Sequence, residues 1–400
     1  MRDEATVLLT HGWCRSSYSV LRALAQRGVK VVVADTARIG MCQASRLAYA
    51  RGRYHSPYAN PDQFVADISD LCRRFHVRLI IPGHEEGELL VQAREAGRLP
   101  HDVALPMADS TKLALVNDKD RMSRLAREMH VSVAPIVDYC TAAEAKTLTD
   151  PERWYVARAR RGNSSKGVRF SLGGQALADE LERMTADFGL DHERPPIVQE
   201  RVTGDGWGVS CLYWHGRRIA SFTHRRLQEK VTTGGTSTLR VSASNPALET
   251  DAHRLLDRLE WHGLAMLEFK KDTVSGRHYF IEINPRLWGS IDLSLSSGVN
   301  FGWLLYLAET HGPETALAAA MSARDGVVER WLLGDMIRRL DLLRRGRLAE
   351  ALQLRDGLRA DAFDDFKLDD PLVLLGEAFY YLAKGLKTQS MNPLEAGMVR

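Results

Sequence analysis

Short apolar runs alternate with longer amphipathic stretches over the first hundred residues. Thr6–Thr10 and Val29–Asp35 are rich in apolar and β-branched residues, and Ser17–Arg27 between them has apolar residues at helical spacing. A further run of this kind, Val77–Ile81, follows the helical pattern of Gln63–Phe75. Strands that alternate with helices predict a parallel sheet flanked by helices, and therefore a Rossmann-like α/β domain.

Polar residues follow the predicted strands, where parallel sheets bind their ligands. The strand ends carry His11–Gly12, Asp35 and Pro82–Glu86, which could form a binding crevice or could cap helices and form turns; the sequence leaves both open. The first turn lacks Gly-x-Gly-x-x-Gly, and Trp13 and Arg15 would place bulk where a pyrophosphate needs close backbone approach. A dinucleotide-binding function therefore loses its main support.

A second region begins around a helix predicted over about Asp118–Met129. It contains strands, glycine-rich loops and hairpins, and a domain boundary is expected near Thr111. The predicted organisation is a first domain over residues 1–110, a second over residues 111–325 with a small lid at about residues 130–200, and a helical region over residues 326–400.

The helical region is predicted from apolar residues that recur at helical spacing after Trp331 and again from Pro371 to Lys384. Its basic residues, such as Arg338 and Arg344, fit a solvated helix face better than a partner surface. We therefore expect this region to have a structural role.

The strongest chemical signal is a predicted antiparallel hairpin. Two runs, Leu264–Lys270 and His278–Arg286, flank a turn that contains Ser275–Gly276. Because side chains alternate across a strand, the polar residues of the second run should share one face, and Ile281 and Ile283 should face the core. The polar residues of the two runs that we single out are Glu268, Glu282, Asn284 and Arg286.

Two carboxylates and an amide oxygen are the hard ligands that suit Mg²⁺, which commonly bridges protein carboxylates to nucleotide phosphates. Glu268, Glu282 and Asn284 are therefore the predicted metal ligands. Arg286, on the same face, would stabilise charge on a transferring phosphoryl group. Taken alone, Glu282 and Asn284 fit a half-exposed hairpin better than a metal site.

A second candidate segment has the character of a phosphate site. Strand, small-residue loop and strand follow each other over Trp154–Ser171, and the glycines and serines of Arg161–Gly167 would expose backbone amides to phosphate oxygens. Arg158, Arg160 and Lys166 would supply positive charge. Taken alone, such a loop is more often a plain turn.

A third candidate segment is the apolar run Ile197–Val202, which leads into a glycine-rich bend over Thr203–Ser210. Backbone groups from Glu200 to Val202 could read an adenine edge, and Asp205 could accept hydrogen bonds from ribose hydroxyls. A β-turn alone would explain the same residues.

In this order the segments resemble the ATP-grasp superfamily, in particular its carboxylate-amine ligases with an amino-terminal α/β domain, over Thr6 to Gly298. Asn117-Asp118-Lys119 resembles the family's lysine at the start of the grasp, Gly162–Gly167 its phosphate-covering loop, and Gln199-Glu200 its adenine hinge. The resemblance implies nucleotide contacts from Lys119, Arg158, Ser164, Ser165, Gly167, Gln199, Glu200, Val202 and Asp205, and metal contacts from Glu268, Glu282 and Asn284.

The same resemblance implies the reaction. ATP would phosphorylate a substrate carboxylate, and an amine would attack the acyl phosphate to give an amide, ADP and phosphate, with Mg²⁺ as the metal and Mn²⁺ as an alternative. Lys119, Arg286 and Arg226 would be the catalytic residues, with Arg226 as a carboxylate clamp. The chain departs from the family at Arg158-Ala159, where a lysine and a proline are usual; arginine keeps the charge but not the point contact of an ammonium.

Two other functions stay open: a nucleotide-binding regulatory protein without turnover, which Arg158 would explain, and an NAD-dependent oxidoreductase that uses the first domain. The 54 basic and 51 acidic residues are interleaved, which gives no sign of a nucleic-acid partner. Five widely spaced cysteines indicate neither a zinc site nor a disulfide framework. We expect a cytoplasmic protein, without a membrane segment, that acts on small carboxylates and amines, such as amino acids or peptides, and that forms a homodimer.

Overall fold

The computed structural model describes residues 5–162, 167–190, 194–230, 236–352 and 360–388. These residues form three β-sheets with helices packed on them. The strands are β1 Thr6–Leu9, β2 Val31–Asp35, β3 Ala50–Arg53, β4 Val77–Ile81, β5 Ile136–Val137, β6 Trp154–Arg158, β7 Val168–Leu172, β8 Ile197–Glu200, β9 Gly204–Trp214, β10 Arg217–Glu229, β11 Ser237–Ser242, β12 Gly263–Asp272, β13 His278–Asn284, β14 Val328–Arg330 and β15 Ala362–Phe363. The helices are α1 Arg15–Ala25, α2 Met41–Ala44, α3 Pro61–Phe75, α4 Glu86–Glu95, α5 Ser110–Val116, α6 Lys119–Glu128, α7 Ala142–Leu148, α8 Gln175–Phe188, α9 Pro246–Arg258, α10 Ile291–Ser296, α11 Phe301–His311, α12 Pro313–Ala319, α13 Leu332–Arg344, α14 Leu348–Leu352 and α15 Leu372–Thr388.

The first sheet has four parallel strands in the order β3-β2-β1-β4. Its strand β1 is buried throughout, with Leu8 in one apolar cluster and Val7 and Leu9 in another. Both faces of the sheet are therefore covered, which explains why its strands are continuous apolar runs. The predicted Rossmann-like parallel sheet is confirmed.

The second sheet has seven strands in the order β13-β12-β9-β10-β11-β14-β15, antiparallel except for the last pair. The predicted hairpin is present as β12 and β13. Glu268 pairs with Glu282, but Phe269 pairs with Phe280, so Ile281 is an extra residue of a β-bulge. The expectation that Ile281 faces the core was wrong, because the bulge turns this residue to the wall of a cleft while Ile283 stays buried.

The segment predicted as a glycine-rich bend is instead the beginning of the long strand β9, which pairs with β10 on one side and β12 on the other. A Cβ atom on Gly204 would lie 1.8 Å from the carbonyl oxygen of Lys271, and one on Gly208 would lie 2.3 Å from the ring of His224. These glycines therefore permit close packing of neighbouring groups rather than a turn.

The third sheet is antiparallel and has the order β5-β8-β6-β7. It packs with α7 and α8 around its own small apolar cluster, which includes Tyr155, Leu177 and Val198. The predicted strand pair on either side of the small-residue loop is present as β6 and β7. The domain and lid boundaries expected from the sequence remain predictions.

The carboxyl-terminal region contains the expected helices α13 and α15, but it also adds β14 and β15 to the second sheet. Helix α15 packs against α2, the helix between β2 and β3 of the first sheet. The packing is close, since a Cβ atom on Gly376 would lie 2.6 Å from the carbonyl oxygen of Gly40, the residue before α2. This region therefore connects two of the three sheets. Across the described parts of the chain, none of the helices combines the length and the apolar character needed to cross a lipid bilayer.

Candidate active site

A cleft of about 660 Å³ lies among the three sheets and the carboxyl-terminal region, and residues of all four line it. The cleft brings together residues that are far apart in the sequence. The predicted site residues in its walls are Lys119, Arg158, Gln199, Glu200, Val202, Arg226, Glu268, Glu282, Asn284 and Arg286.

The predicted metal ligands lie on one face of the β12–β13 hairpin. Glu268 is paired across the strands with Glu282, and the amide nitrogen of Asn284 donates to Oε1 of Glu268 at 3.2 Å. Within the described residues no group of three or more His, Cys, Asp or Glu side chains could hold a metal ion, so Asn284 would have to supply the third oxygen of this set. Two carboxylates and one amide on one face fit Mg²⁺, which keeps some of its waters.

Two arginines contact these oxygen donors. Arg226 places Nη2 at 2.6 Å from Oε1 of Glu268, and Arg286 donates from Nη2 to Oδ1 of Asn284 at 2.9 Å. Each guanidinium has five N–H donors, so both can bind a further anionic oxygen in the cleft. The pair therefore surrounds the candidate metal site with positive charge.

The carboxylate of Glu282 lies among several positively charged side chains. Its Oε2 lies 3.6 Å from Nζ of Lys119 and 4.0 Å from Nη1 of Arg158. Burial alone would raise the pKa of Glu282, but the charges of Lys119, Arg158, Arg286 and Arg226 hold that pKa below its ordinary value. Glu282 is therefore an anion at neutral pH, as a ligand of a divalent cation must be.

Lys119 is positioned by the beginning of α6. The carboxylate of Asp118 caps this helix by accepting hydrogen bonds from the backbone nitrogens of Asp120 and Arg121, at 3.1 and 3.2 Å. Nζ of Lys119 then donates to the carbonyl oxygen of Gly162 at 2.5 Å. Burial lowers the pKa of Lys119, and Glu282 opposes that shift. The ammonium thus links the base of the small-residue loop to the hairpin.

Arg158 stands where the family resemblance predicts a lysine. It is buried, and its guanidinium contacts residues of two strands, β8 and β13. Its Nη2 donates to Oε1 of Gln199 and to the carbonyl oxygen of Ile281, both at 3.1 Å. Both bonds come from one nitrogen, while the other terminal nitrogen, Nη1, lies 4.0 Å from Oε2 of Glu282, so the planar head spreads its contacts over two nitrogens, which the single nitrogen of a lysine cannot do. The arginine therefore keeps positive charge near Glu282 and also joins the third sheet to β13.

Several predicted residues are not brought to the cleft. Asp205 is exposed and lies 3.6 Å from Arg225, because strand alternation turns its neighbour Gly206 to the cleft instead. The contact of Asp205 with ribose therefore has no support. Gly167 is also absent from the cleft walls, and its carbonyl accepts a hydrogen bond from the backbone of Ala159 at 2.8 Å. Gln199 does line the cleft, but its side-chain oxygen accepts a hydrogen bond from Arg158.

Some residues of the predicted phosphate loop have other roles or lie outside the description. Arg160 pairs with Asp120 at 2.7 Å and donates to the carbonyl oxygen of Pro195 at 2.8 Å, so it does not face the cleft. Ser164, Ser165 and Lys166 lie outside the described residues.

The polar ends of the first sheet do line the cleft, and their carboxylates hold the loops there. Asp35 accepts hydrogen bonds from the backbone nitrogens of Trp13 and Ala37, at 3.0 and 2.7 Å. Glu86 accepts from the backbone nitrogen of Gly83 at 3.1 Å. These two acids thus do what the capping and turn interpretation expected.

Sequence reasoning missed the wall that the carboxyl-terminal region contributes. The cleft is also lined, next to Trp13, by Trp331, Glu377, Tyr380 and Tyr381, although we expected this region to have a structural role. The available signal was the aromatic residues of this region, with Trp331 directly before α13 and Tyr380 and Tyr381 within α15. No local pattern placed them at the cleft.

Comparisons with known proteins agree with this architecture. A family profile described as "ATP-grasp in the biosynthetic pathway with Ter operon" matches residues 192–329. The pyruvate carboxylase of Pichia angusta is 26% identical over 260 residues, which cover 60% of this chain and 21% of that protein. The chain therefore spans about a fifth of the length of this curated relative.

Two solved structures have the same fold. The biotin carboxylase domain dimer of the 2-oxoglutarate carboxylase from Hydrogenobacter thermophilus, a complex with MgADP, ADP and bicarbonate, has a TM-score of 0.60 at 16% identity and covers 80% of this chain and 73% of its own. The L-amino acid ligase from Bacillus licheniformis has a TM-score of 0.58 at 16% identity and covers 78% of this chain and 75% of its own. At such identities these likenesses show the fold.

The chain is therefore an α/β protein with a Rossmann-like parallel sheet before an ATP-grasp fold and a helical carboxyl-terminal region. Residues 192–329 match an ATP-grasp family profile, and the likeness to the solved structures shows the same fold over most of the chain.

Proposed function

We propose that the protein is an ATP-dependent ligase that joins a carboxylate to an amine, forming an amide or peptide bond through an acyl phosphate and releasing ADP and phosphate. The observation that carries this proposal is the convergence of two carboxylates, an amide and three cations on one cleft. These residues are Glu268, Glu282, Asn284, Lys119, Arg226 and Arg286.

ATP and Mg²⁺ are the cofactors that fit these residues. Glu268, Glu282 and Asn284 would hold the metal, which when bound would offset the negative charge of the phosphates. Lys119 would contact the nucleotide phosphates from the base of the small-residue loop, and the hinge strand β8 would lie along the nucleobase. The fit rests on the chemistry of this donor set and on the positive charge around Glu282.

The residues of the cleft would act through position and charge. An oxygen of the substrate carboxylate would attack the γ-phosphorus as the bond to the ADP oxygen breaks. The amine nitrogen would then attack the acyl carbon, lose a proton, and displace phosphate. Arg286 and Arg226 would face the oxygens on which negative charge accumulates. No protein nucleophile is required for either step.

The test is ADP release from Mg²⁺-ATP in the presence of pooled amino acids and small carboxylates. The intact chain should release ADP in response to at least one pool, and Glu282→Gln, which keeps the size of the side chain, should lose that response. Glu152→Gln, an exposed residue remote from the hairpin, is the matched control. Absence of ADP release with every pool, while ATP binding is measurable, would reject the ligase.

A second candidate is a nucleotide-binding regulatory protein without turnover. The buried Arg158 favours it, because both acceptors of Nη2 are protein atoms and the expected lysine is absent. This candidate predicts ATP affinity that does not depend on carboxylate or amine substrates and is not followed by hydrolysis.

A homodimer is a further proposal, which the dimeric biotin carboxylase domain of Hydrogenobacter thermophilus supports by analogy. Sedimentation equilibrium of the intact chain tests it directly. A single species at the monomer mass of 44.8 kDa across the concentrations of the assay would reject the homodimer.

A further inference from the structure

The cleft extends beyond the β12–β13 hairpin into a compartment between the first sheet and the carboxyl-terminal region. We refer to the rings of Trp13, Trp331, Tyr380 and Tyr381 as the aromatic compartment. Trp13 and Tyr380 stack with centroids 4.3 Å apart, and Tyr381 meets Trp13 edge-on at 6.0 Å. Trp331 lies 6.1 Å from Tyr381. Mutual packing holds these rings in place and leaves a flat apolar wall for a ligand.

A lysine ammonium lies next to this wall. Lys230 follows the end of β10, and its Nζ lies 5.0 Å from the ring centroid of Tyr381 and 5.4 Å from that of Trp331. The guanidinium of Arg15 lies 3.9 Å from the Trp331 ring and is paired with Asp364. The aromatic compartment therefore combines apolar surface with positive charge, which suits an organic anion with an apolar body.

A buried carboxyl group completes the compartment. Oε1 of Glu377 accepts a hydrogen bond from Nε1 of Trp331 at 3.1 Å, whereas Oε2 is buried and has no hydrogen-bond partner among the described residues. Burial, with Asp365 and Asp364 nearby, raises the pKa of Glu377, and Arg15 opposes this. A protonated Glu377 would donate to an anionic oxygen, and such a partner would offset the cost of an unpaired buried atom.

The aromatic compartment adjoins the β12–β13 hairpin. Glu229, the residue before Lys230, lies 3.7 Å from Arg226, which in turn contacts Glu268. Arg15 also lies close to Gly289, which is three residues after Arg286 in the sequence. Its Nη2 is 3.1 Å from the position that a Cβ atom on Gly289 would occupy. A molecule bound at the aromatic rings would therefore be close to the carboxylate that the proposed reaction activates.

We propose that the aromatic compartment binds the amine substrate, and that this substrate is an amino acid with an aromatic or large apolar side chain. The inference rests on the proposed function, which requires an amine. The ammonium of Lys230 can donate to a carboxylate on the same molecule, and the rings can pack against an apolar body. An apolar amino acid combines these three groups, with its free carboxylate at Lys230 and its side chain against the rings.

Isothermal titration calorimetry on the full chain tests this inference with three probes: L-phenylalanine, L-phenylalaninamide and glycine. L-phenylalaninamide lacks the carboxylate and glycine lacks the ring, so both should bind at least about tenfold more weakly than L-phenylalanine. Equal affinity for L-phenylalanine and its amide, or no heat with any of the three probes, would overturn the proposal.

Matched variants distinguish the loss of the Lys230 ammonium from a general disturbance of the structure. Lys230→Met should weaken L-phenylalanine binding about tenfold and leave ATP affinity unchanged, whereas Lys230→Arg should keep most of it. Lys146→Met, an exposed lysine on α7, should behave as the intact chain. Unchanged L-phenylalanine affinity in Lys230→Met would also overturn the proposal.

The same experiment distinguishes this inference from the proposed function. Binding of L-phenylalanine that depends on Lys230, without ADP release from any pool, would retain the subsite and reject the ligase. ADP release that responds to other carboxylates and amines, with no affinity for L-phenylalanine, would retain the ligase and reject the subsite.

Discussion

The two ends of the cleft are built in opposite ways. At the β12–β13 hairpin, charged side chains of adjacent strands lie side by side, as Glu268 and Glu282 do. In the aromatic compartment the wall comes from the first sheet, the end of β10 and the carboxyl-terminal region, and the ion pair of Arg15 with Asp364 joins residues 349 positions apart. Strand register therefore fixes a charge arrangement at one end, and docking of distant segments fixes a shape at the other.

The largest expected effect lies at the charged end. Lys119→Met should lower substrate-stimulated ADP release at least about a hundredfold, because it removes the cation between Gly162 and Glu282 where phosphate charge would accumulate. Steady-state kinetics measure this effect. L-phenylalanine affinity should stay that of the intact chain, since Lys119 is not part of the aromatic compartment.

Lys112→Met is the matched control for this variant. Lys112 also donates from Nζ to a backbone carbonyl, that of Glu260 at 3.2 Å, but it lies outside the cleft. Equal losses in the two variants would mean that the charged end has no special role in turnover.

A smaller effect is expected when the shape of the other end is disturbed. A Cβ atom on Gly334 would lie 2.1 Å from the ring of Trp331, so Gly334→Ala must displace that ring. We expect about tenfold weaker L-phenylalanine binding and a loss of about 1 to 3 kcal/mol in the free energy of unfolding, with ATP affinity unchanged. Calorimetry and urea unfolding measure the two effects. Met336 is an exposed residue on the same helix, so Met336→Ala should change neither the L-phenylalanine affinity nor the free energy of unfolding.

The pH dependence of binding should also separate the two ends. Burial, followed by the charge of Arg15, lowers the pKa of Lys230 to about 8. The ammonium is present below that pH and is lost above it, so L-phenylalanine affinity should fall as the pH rises through about 8 rather than through the usual range of lysine. Lys230→Arg should keep its affinity at pH 9. An intact chain whose affinity stays constant from pH 7 to pH 9 would contradict this prediction.

The smallest effect is expected for Asp205. Its carboxylate is exposed and faces Arg225, so Asp205→Asn should change the KM for ATP by less than about twofold. A tenfold rise in that KM would show that Asp205 contacts the nucleotide after all.

The charged end could largely be predicted from the sequence, because the relevant signals are local. Alternation along β13 puts Glu282 and Asn284 on one face, and the cap at Asp118 fixes where Lys119 begins its helix. The parallel first sheet is equally local in origin, since its strands are continuous apolar runs separated by amphipathic helices.

What the sequence did not predict depends on register and on long-range docking. The bulge that turns Ile281 to the cleft is a property of the pairing with β12, and the exposure of Asp205 follows from the unexpected extension of β9 to Gly204. The contact of Trp13 with Tyr380 requires α15 to pack against α2, and no sequence pattern in either helix predicts that packing.

The docking of α15 on the first sheet also sets an order of events during synthesis. Trp13 leaves the ribosome early, and the rings that stack on it emerge only after the strands of the second sheet have been made. The charged end of the cleft can thus be complete while its aromatic wall is still missing. On the proposed function, a nascent chain would be able to hold a nucleotide before it could hold the partner that we propose for the aromatic rings, and selectivity for that partner would be acquired last.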